Sequence, residues 1–262
     1  MIVWRDNHGT RIAEVWFDEP APGRGADLVR FIQRSHPVPK AECIEKHTLI
    51  VALDRAPAEI FSSFKKDTRN EIRRARDREG IICEGILPGK GWILEDFFAF
   101  HDKFASRKGL RSLDRSRLLL YASAGLLYLS RCRDPYGDVL AWHAYLALGG
   151  RARLLYSASH FRDSRENRRR NVIGRANRYL HWDDLLRFRS AGISLYDFGG
   201  WYAGNADENL LGINRFKEEF GGRRVCEFDC DLAATHRGRI AKWIARDFQG
   251  LKKRLGFHGH EG

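Results

Sequence analysis

The sequence predicts a mixed α/β (α+β) fold in which an antiparallel meander of three strands is followed by a βαβ unit. Three apolar segments, residues 126–133, 139–148 and 152–159, are separated by the sequences DPYG and GG, which are typical of hairpin turns. A helical pattern covers residues 172–191, and a short strand at 193–198 follows it. Because strand–helix–strand connections are right-handed, we expect this last strand to return parallel to 152–159.

Before the meander, a strand at residues 47–53 leads into one long helix. Pro57 lies in its first turn, and Gly80 follows its last turn, as expected for helix ends. Apolar or small side chains recur every fourth residue on one face, and lysines and arginines occupy the other face. The buried face consists of Ile60, Phe64, Thr68 and Ile72.

The rest of the N-terminal half is less regular. In the first 47 residues we predict a strand at 14–17 and a short helix at 27–34, separated by a loop that contains two prolines and two glycines. Two further helices are predicted at 92–108 and 114–124.

The chain finishes with a predicted strand at 224–230 and a basic amphipathic helix at 237–254. The apolar side of this helix consists of Trp243, Ile244, Phe248 and Leu251. A basic amphipathic helix of this kind suggests a peripheral contact with a membrane surface.

The 262 residues carry a net charge of +12, which favours polyanionic partners such as nucleic acid, phosphorylated cofactors or anionic lipid. A solvated basic surface without a partner is the alternative. Five cysteines without a CxxC pair indicate a reduced, cytoplasmic protein with free thiols and no metal site. No signal peptide is visible, and no HExxH, GxSxG or Walker motif is present, so metalloprotease, serine hydrolase and P-loop functions have no support.

Seven arginines between residues 162 and 178 form the most basic segment of the chain. They lie in a predicted loop that ends at a helix N-terminus, where backbone N–H groups, the helix dipole and guanidinium groups together favour an anion. An exposed loop that binds nothing is the alternative.

Residues 196–222 read YDFGG, a polar loop, and then GINRFKEEFGG. A strand that ends in an acid and two glycines places Asp197 where a backbone and a ligand approach closely. The following segment returns Arg215, Phe216 and Lys217 to the same end of the sheet. The sequence therefore predicts a site that combines a carboxylate, a cation and an aromatic ring.

These motifs, with residues 48–81 and the strand sequence RLLYSASHFRDS at 153–164, resemble FemAB-type acyltransferases of the GNAT-like acetyltransferase superfamily. The resemblance implies a GNAT-like fold in which the parallel strand pair splays to admit the acyl donor. It divides the chain into an abbreviated N-terminal GNAT-like half at 1–85, a GNAT-like acyltransferase domain at 86–235, and the basic helix and tail at 236–262.

The resemblance places Phe216 and Lys217 at the transfer centre. A fixed ammonium at Lys217 would stabilise the oxyanion that develops during aminolysis, and Asp197 would accept a proton from the attacking amine. The alternatives are a surface lysine beside two glutamates and a structural acid bonded to the Gly199 and Gly200 backbone.

The phosphates of the donor are expected on the arginine-rich segment. In acetyltransferases this position carries a coenzyme A loop, Q/R-x-x-G-x-G/A, and the sequence RNVIGRA here is one residue longer. FemAB-type proteins take their acyl group from charged tRNA instead, which basic side chains would also suit. The predicted donor-phosphate ligands are Arg168, Arg169, Arg170, Gly174 and Arg175.

An acceptor pocket is predicted at the same sheet end. A tyrosine at the position of Tyr156 is more often strand core, and His143 and His181 are expected to be hydrogen-bonded core histidines. The pocket residues are Tyr156, His160, Tyr196, Trp201 and Tyr202. We therefore predict a cytoplasmic N-acyltransferase without a tightly bound cofactor, which uses aminoacyl-tRNA or an acyl-CoA. Its acceptor would be an amine on a cell-wall precursor, a sugar or a small metabolite. The alternative is a non-catalytic RNA-binding module on the same scaffold.

Overall fold

The structure is a computed structural model that describes residues 2–86, 91–162 and 166–244. Its strands are β1 (Ile2–Asn7), β2 (Thr10–Trp16), β3 (Leu28–Arg34), β4 (Glu42–Ala52), β5 (Ile82–Ile86), β6 (Leu127–Arg133), β7 (Val139–Leu148), β8 (Arg151–Ser159), β9 (Leu195–Gly200) and β10 (Arg223–Ala233). Its helices are α1 (Pro57–Ser62), α2 (Lys66–Asp77), α3 (Gly91–Lys108), α4 (Arg115–Ser123), α5 (Asn167–Ser190) and α6 (Glu208–Glu218), with a 3₁₀ turn at His160–Arg162. A further helical stretch covers 236–244.

The chain divides into two compact units. The large unit consists of residues 49–224, and the small unit consists of residues 1–48 and the described residues from 225 onward. This division does not coincide with the predicted boundaries at residues 85 and 235. The assignment of the N-terminal residues to an abbreviated GNAT-like half stays a prediction.

The strands of the large unit lie in the order β4-β9-β8-β7-β6-β5. Strands β6, β7 and β8 pair antiparallel in sequence, which confirms the predicted meander. Strand β9 pairs in parallel with β8 after the helix α5, which confirms the predicted βαβ unit.

The parallel pair β8–β9 is short. Only three residue pairs join the strands, the last of them between Arg153 and Asp197, although β8 continues to Ser159 and β9 to Gly200. The register between β7 and β8 shifts just beyond this point, where Leu155 has no opposite residue on β7. A bulge of this kind bends a strand, so the parallel ladder ends beside a bend in β8, at the sheet position where the resemblance places the acyl donor.

Two predicted helix boundaries are wrong. The helix expected from Pro57 to Gly80 is interrupted between α1 and α2, because the Lys65 backbone is extended and its N–H donates to the carbonyl of Glu219, 2.8 Å away. Helix α5 begins at Asn167, five residues before its predicted start. The intervening arginines favour helix, and no proline or glycine separates them from the rest of α5.

A large apolar core covers one face of the sheet in the large unit. Aromatic rings form its centre, where Phe64 makes edge contacts with Trp182 and Phe220 at centroid distances of 5.5 and 5.3 Å. Helix α2 packs against α5 through the buried Ala75, Ile173 and Ala176. These contacts fix α5 beneath β8 and β9, the strands that carry the candidate site.

In the small unit the strand order is β1-β2-β3-β10-β4. The short helix predicted at residues 27–34 is wrong, since these residues form β3. The apolar residues Leu28, Val29, Phe31 and Ile32 match a helical period, but pairing with β2 on one side and β10 on the other determines the structure.

The small unit also contains a disulfide between Cys43 on β4 and Cys230 on β10. The prediction that all five cysteines are free thiols is therefore wrong for these two residues. Their separation of 187 residues explains why the sequence pattern does not reveal the pair. Among the described residues, no helix is long and apolar enough to cross a membrane.

Candidate active site

The candidate site lies at the end of β9, where the sequence FGG meets helix α6. Helix α6 begins after Asp207, whose carboxylate accepts hydrogen bonds from the backbone N–H groups of Asn209 and Leu210 at 2.9 and 3.1 Å. This cap fixes the start of α6, and Lys217 lies in its last turn. The Lys217 ammonium donates hydrogen bonds to the carbonyl oxygens of Gly199, at 3.4 Å, and of Gly200.

Lys217 is an unusual lysine because only 9% of its surface is exposed. Burial disfavours the charged amine and lowers the pKa of Lys217 from the ordinary 10.5 to about 8, against the opposing effect of the nearby Asp197 carboxylate. The positive charge of Arg153 lowers this pKa further. At neutral pH the side chain is thus an ammonium close to the point of losing its proton.

Asp197 lies on β9, two residues before Gly199, and its side chain is fully buried. One carboxylate oxygen accepts hydrogen bonds from Arg151 Nε at 3.0 Å and Arg151 Nη2 at 2.6 Å. The other oxygen accepts from the backbone N–H of Gly199 at 2.8 Å. Asp197 therefore fixes the backbone whose carbonyl groups hold Lys217, and the structure brings the predicted acid and cation together at one sheet end.

Gly199 is the position at which this backbone requires glycine. Its φ is +71°, and a β-carbon added there would lie 2.8 Å from the carbonyl oxygen of Leu154 on β8. Both the conformation and the close approach exclude a side chain. The glycine pair of YDFGG thus marks the place where β9 turns past β8.

Tyr156 and His160 lie where β8 continues beyond its pairing with β9. The Tyr156 ring is partly buried in an edge contact with the His101 ring at 5.5 Å, and burial raises the pKa of Tyr156. The His160 ring stacks on Phe100 at a centroid distance of 3.9 Å. Both side chains therefore pack against helix α3.

Trp201 and Tyr202 follow β9 directly. The Arg224 guanidinium lies over the Trp201 ring at 5.6 Å. The Tyr202 backbone exchanges two hydrogen bonds with the Asn214 side chain, at 3.1 and 2.7 Å, which ties this segment to α6. Both residues are partly exposed at the candidate site.

One of the predicted site residues lies in the core, and another packs against it. Tyr196 is fully buried, and its hydroxyl lies 2.7 Å from Nδ1 of His181. Phe216 packs its ring against His181 and Phe220, at 5.5 and 5.4 Å, and against the Arg178 guanidinium. Because neighbouring residues on a strand point to opposite faces, Asp197 and Tyr196 cannot both face one pocket.

From residue 167 onward the arginine-rich segment forms the first turns of α5, and several of its side chains bind other residues of the chain. Arg169 pairs with Asp134 and Asp138, each at 2.9 Å. Arg175 is buried and binds Glu79 through three hydrogen bonds of 2.5 to 3.1 Å, one residue after Gly174.

Of the three remaining predicted phosphate ligands, Gly174 lies inside α5, and the two arginines are more available. Arg168 is exposed in the first turn of α5, and Arg170 is half-exposed and donates to Asn167 within the same turn. Phosphate binding by the segment stays a prediction, and Arg168 and Arg170 are the side chains best placed for it.

A buried polar network joins β6, β7, α5 and β9, and sequence analysis missed most of it. One oxygen of Asp184 lies 2.9 Å from Ser130 Oγ, 2.8 Å from His143 Nδ1 and 2.6 Å from the Tyr145 hydroxyl. The Tyr145 hydroxyl is 2.8 Å from that of Tyr196. His143 and Tyr145 alternate on β7, and this periodicity is the signal that predicts a shared face.

The network also determines the state of the predicted core histidines. Burial, followed by the neighbouring His143, holds the pKa of His181 well below its usual range, so His181 is neutral. Burial and the Asp184 carboxylate raise the pKa of Tyr145 well above its usual range. The histidines therefore act in the core as hydrogen-bonding groups.

The meander, the short parallel pair and the crossing helix α5 form a GNAT-like fold. No family model and no curated protein matches the sequence. Solved structures do match it. A structure of FemX superimposes with a TM-score of 0.63 at 15% identity, over 87% of this chain and 83% of that one.

Two further solved structures resemble the chain over most of its length. The C-terminal domain of a putative lysylphosphatidylglycerol synthetase from Agrobacterium fabrum has a TM-score of 0.55 at 14% identity, and L-PGS from Bacillus licheniformis has 0.54 at 13%. Each comparison covers 94% of this chain and 84% of the other. At these identities the likeness shows the fold, and it confirms the fold that the sequence predicts.

Proposed function

We propose that the chain is an acyltransferase that moves an aminoacyl or acyl group onto a primary amine. The observation that carries this proposal is the position of Lys217, a nearly buried ammonium with a lowered pKa that binds the β9 backbone just beyond the last residue paired with β8. Perturbed lysines in such positions are typical of functional sites.

The proposed reaction needs no covalent enzyme intermediate. The amine nitrogen attacks the acyl carbonyl carbon, a C–N bond forms, and the C–O bond of an ester donor or the C–S bond of a thioester breaks. The proton lost by the amine balances the charge on the departing oxygen or sulfur. The Lys217 ammonium stabilises the oxyanion of the tetrahedral intermediate, and close positioning of the two reactants provides much of the rate.

In our proposal Asp197 supports this step by fixing the Gly199 backbone, which in turn positions Lys217. Its oxygens already accept hydrogen bonds from Arg151 and from the Gly199 N–H, which makes it a poor proton acceptor for the amine. Its negative charge instead favours the protonated form of Lys217. We therefore assign Asp197 a positioning role and Lys217 the catalytic role.

Aminoacyl-tRNA is the first candidate donor and an acyl-CoA is the second. The net charge of +12 and the exposed Arg168 and half-exposed Arg170 at the start of α5 suit a polyanion. The putative lysylphosphatidylglycerol synthetase that shares this fold is named for an aminoacylated product, which makes aminoacyl transfer a candidate for this chain too. A cell-wall precursor, a sugar amine and a small metabolite are the candidate acceptors.

Label transfer tests the reaction. The full chain is incubated with a mixture of labelled aminoacyl-tRNAs, or with labelled acyl-CoA, and with a panel of amines, and labelled amide is measured. We expect transfer that Lys217→Ala abolishes and that Lys103→Ala, at an exposed lysine on α3, leaves unchanged. Full activity of Lys217→Ala would refute the site, and tight RNA binding without any transfer would favour the non-catalytic RNA-binding alternative.

The role of the ammonium predicts how activity depends on pH. Because the pKa of Lys217 is about 8, the fraction of ammonium falls as pH rises through this value. We expect kcat/KM to decrease above about pH 8, once the effect of amine ionisation has been measured separately. An activity that rises through this range would show that the neutral amine of Lys217 acts as a base instead.

The donor site is tested by reversing charge at the start of α5. The double variant Arg168→Glu/Arg170→Glu should weaken binding of the donor and reduce the steepness with which binding falls with salt. Arg107→Glu, at an exposed arginine in the last turn of α3, is the matched control. A salt dependence equal to that of the unaltered chain would remove the phosphate role from these two residues.

A further inference from the structure

Three side chains with different ligand atoms converge on one face of the small unit. Glu45 and His47 lie two residues apart on β4, so both point to the same side of that strand. Cys226 lies on β10, the strand next to β4 in the sheet. The carboxylate oxygen, a ring nitrogen and the sulfur all lie within 4.8 Å of one another. His47 Nε2 and Glu45 Oε1 are 3.2 Å apart.

These spacings fit a tetrahedral metal ion. Bonds of about 2.0 to 2.3 Å to oxygen, nitrogen and sulfur place neighbouring ligand atoms of a zinc site roughly 3.3 to 3.8 Å apart. The Glu45 and Cys226 side chains are exposed, so they are free to rotate toward an ion bound between them. The ligand types also discriminate between metals, since calcium and magnesium prefer oxygen alone, whereas zinc accepts sulfur, nitrogen and oxygen together.

We propose that Glu45, His47 and Cys226 bind a thiophilic divalent cation such as Zn²⁺. Three protein ligands leave the fourth tetrahedral position to water, because the Glu45 side chain is 57% exposed and that of His47 is 30% exposed. The disulfide between Cys43 and Cys230 joins the same two strands, so the ligands are held near each other before the metal binds. The proposal does not depend on acyl transfer.

Metal binding is tested on the full oxidised chain after removal of any affinity tag, so that Cys43 and Cys230 remain paired. Zn²⁺ is titrated in competition with a chromophoric chelator, and Co²⁺ is added separately to detect a thiolate-to-cobalt charge-transfer band. We expect one equivalent of metal and a band that Cys226→Ser abolishes. Cys226→Ser and His47→Gln should each lower the affinity for Zn²⁺ by about 10-fold to 100-fold or more. Losses of this size follow even from mutating a residue that only hydrogen-bonds a metal ligand.

Matched controls separate this site from other thiols and histidines. Cys83→Ser alters a free, partly buried cysteine, and His36→Gln alters an exposed histidine that contacts Ser35. Both control variants should bind zinc as the unaltered chain does. Zinc should also raise the melting temperature of the unaltered chain, because a ligand that binds only the folded state stabilises it.

An independent measurement requires no variant. Zn²⁺ should slow alkylation of Cys226, as followed by mass spectrometry of the peptide that contains it, and should leave alkylation of Cys83 unchanged. Binding that persists in both Cys226→Ser and His47→Gln, the absence of saturable binding, or alkylation of Cys226 at the same rate with and without zinc would each overturn the proposal.

Discussion

The buried ammonium of Lys217 predicts a stability that depends on pH in a defined direction. An unfolded lysine has a pKa near 10.5, and burial lowers the pKa of Lys217 to about 8 in the folded chain. Between these values the unfolded chain binds a proton that the folded chain does not, so the free energy of unfolding rises with pH. Below pH 8 both states are protonated and the full cost of burying the charge is present.

The difference between 10.5 and about 8 corresponds to about 3 kcal/mol, which is an order-of-magnitude figure. Lys217→Met removes the titrating group and retains much of the side-chain volume. The free energy of unfolding of the unaltered chain, minus that of Lys217→Met, should therefore increase by up to about 3 kcal/mol between pH 7 and 10.5. Lys217→Met also loses the hydrogen bonds to Gly199 and Gly200. This loss shifts the difference by a constant amount and does not change its slope against pH.

Urea unfolding at several pH values and constant salt measures this slope, with Lys103→Met as the control at an exposed lysine. All other titrating groups are shared by the variants and cancel in the difference. A difference that stays flat to within about 0.5 kcal/mol, beyond the usual error of extrapolation, would refute the burial argument. A decrease with pH would mean that the folded chain favours the ammonium.

Three further predictions concern the frame around Lys217 and the C-terminal residues. Gly199→Ala should destabilise the chain by about 1–3 kcal/mol more than Gly125→Ala in chemical unfolding, because both have positive φ but only Gly199 meets another backbone. Asp197→Asn should cost about 3–5 kcal/mol by leaving Arg151 buried without its partner, and adding Arg151→Met should recover part of this loss in the same measurement. Vesicle flotation should show salt-sensitive binding to anionic lipid that Trp243→Ser reduces, since this side chain is 66% exposed on a basic helical stretch; equal flotation of the variant would exclude that contact.

The sequence predicts the meander and the βαβ unit well, because local signals determine them. The DPYG and GG turns mark the ends of the strands, and residues 172–191 carry a continuous helical pattern. Strand β3 could not be predicted in the same way. Its apolar residues fit a helix, and only its pairing with β2 and β10 makes it a strand. The break between α1 and α2 likewise depends on a distant partner, the carbonyl of Glu219.

In the candidate site, too, local motifs are predictable from the sequence and contacts between distant residues are not. The motif YDFGG locates Asp197 and the glycine pair, and the segment RFK returns Lys217 to them. The sequence does not reveal that Arg151 neutralises Asp197, because this contact joins residues on two strands with α5 between them in the chain. The sequence also does not reveal that Arg175 forms an ion pair with Glu79, 96 residues earlier.

The electrostatic arrangement around Lys217 explains why this lysine, rather than Asp197, is the better candidate for chemistry. Asp197 has a cationic partner in Arg151 and a backbone donor in Gly199, so its charge is stabilised before any substrate binds. Within the described residues, Lys217 donates its hydrogen bonds to two neutral carbonyl groups, and burial reduces the stability of its charge. A developing oxyanion would add a negatively charged hydrogen-bond acceptor to the nearby charge of Asp197. Lys217 would then stabilise the charged transition state more than the neutral bound substrate. Such a difference in binding free energy is the condition for catalysis.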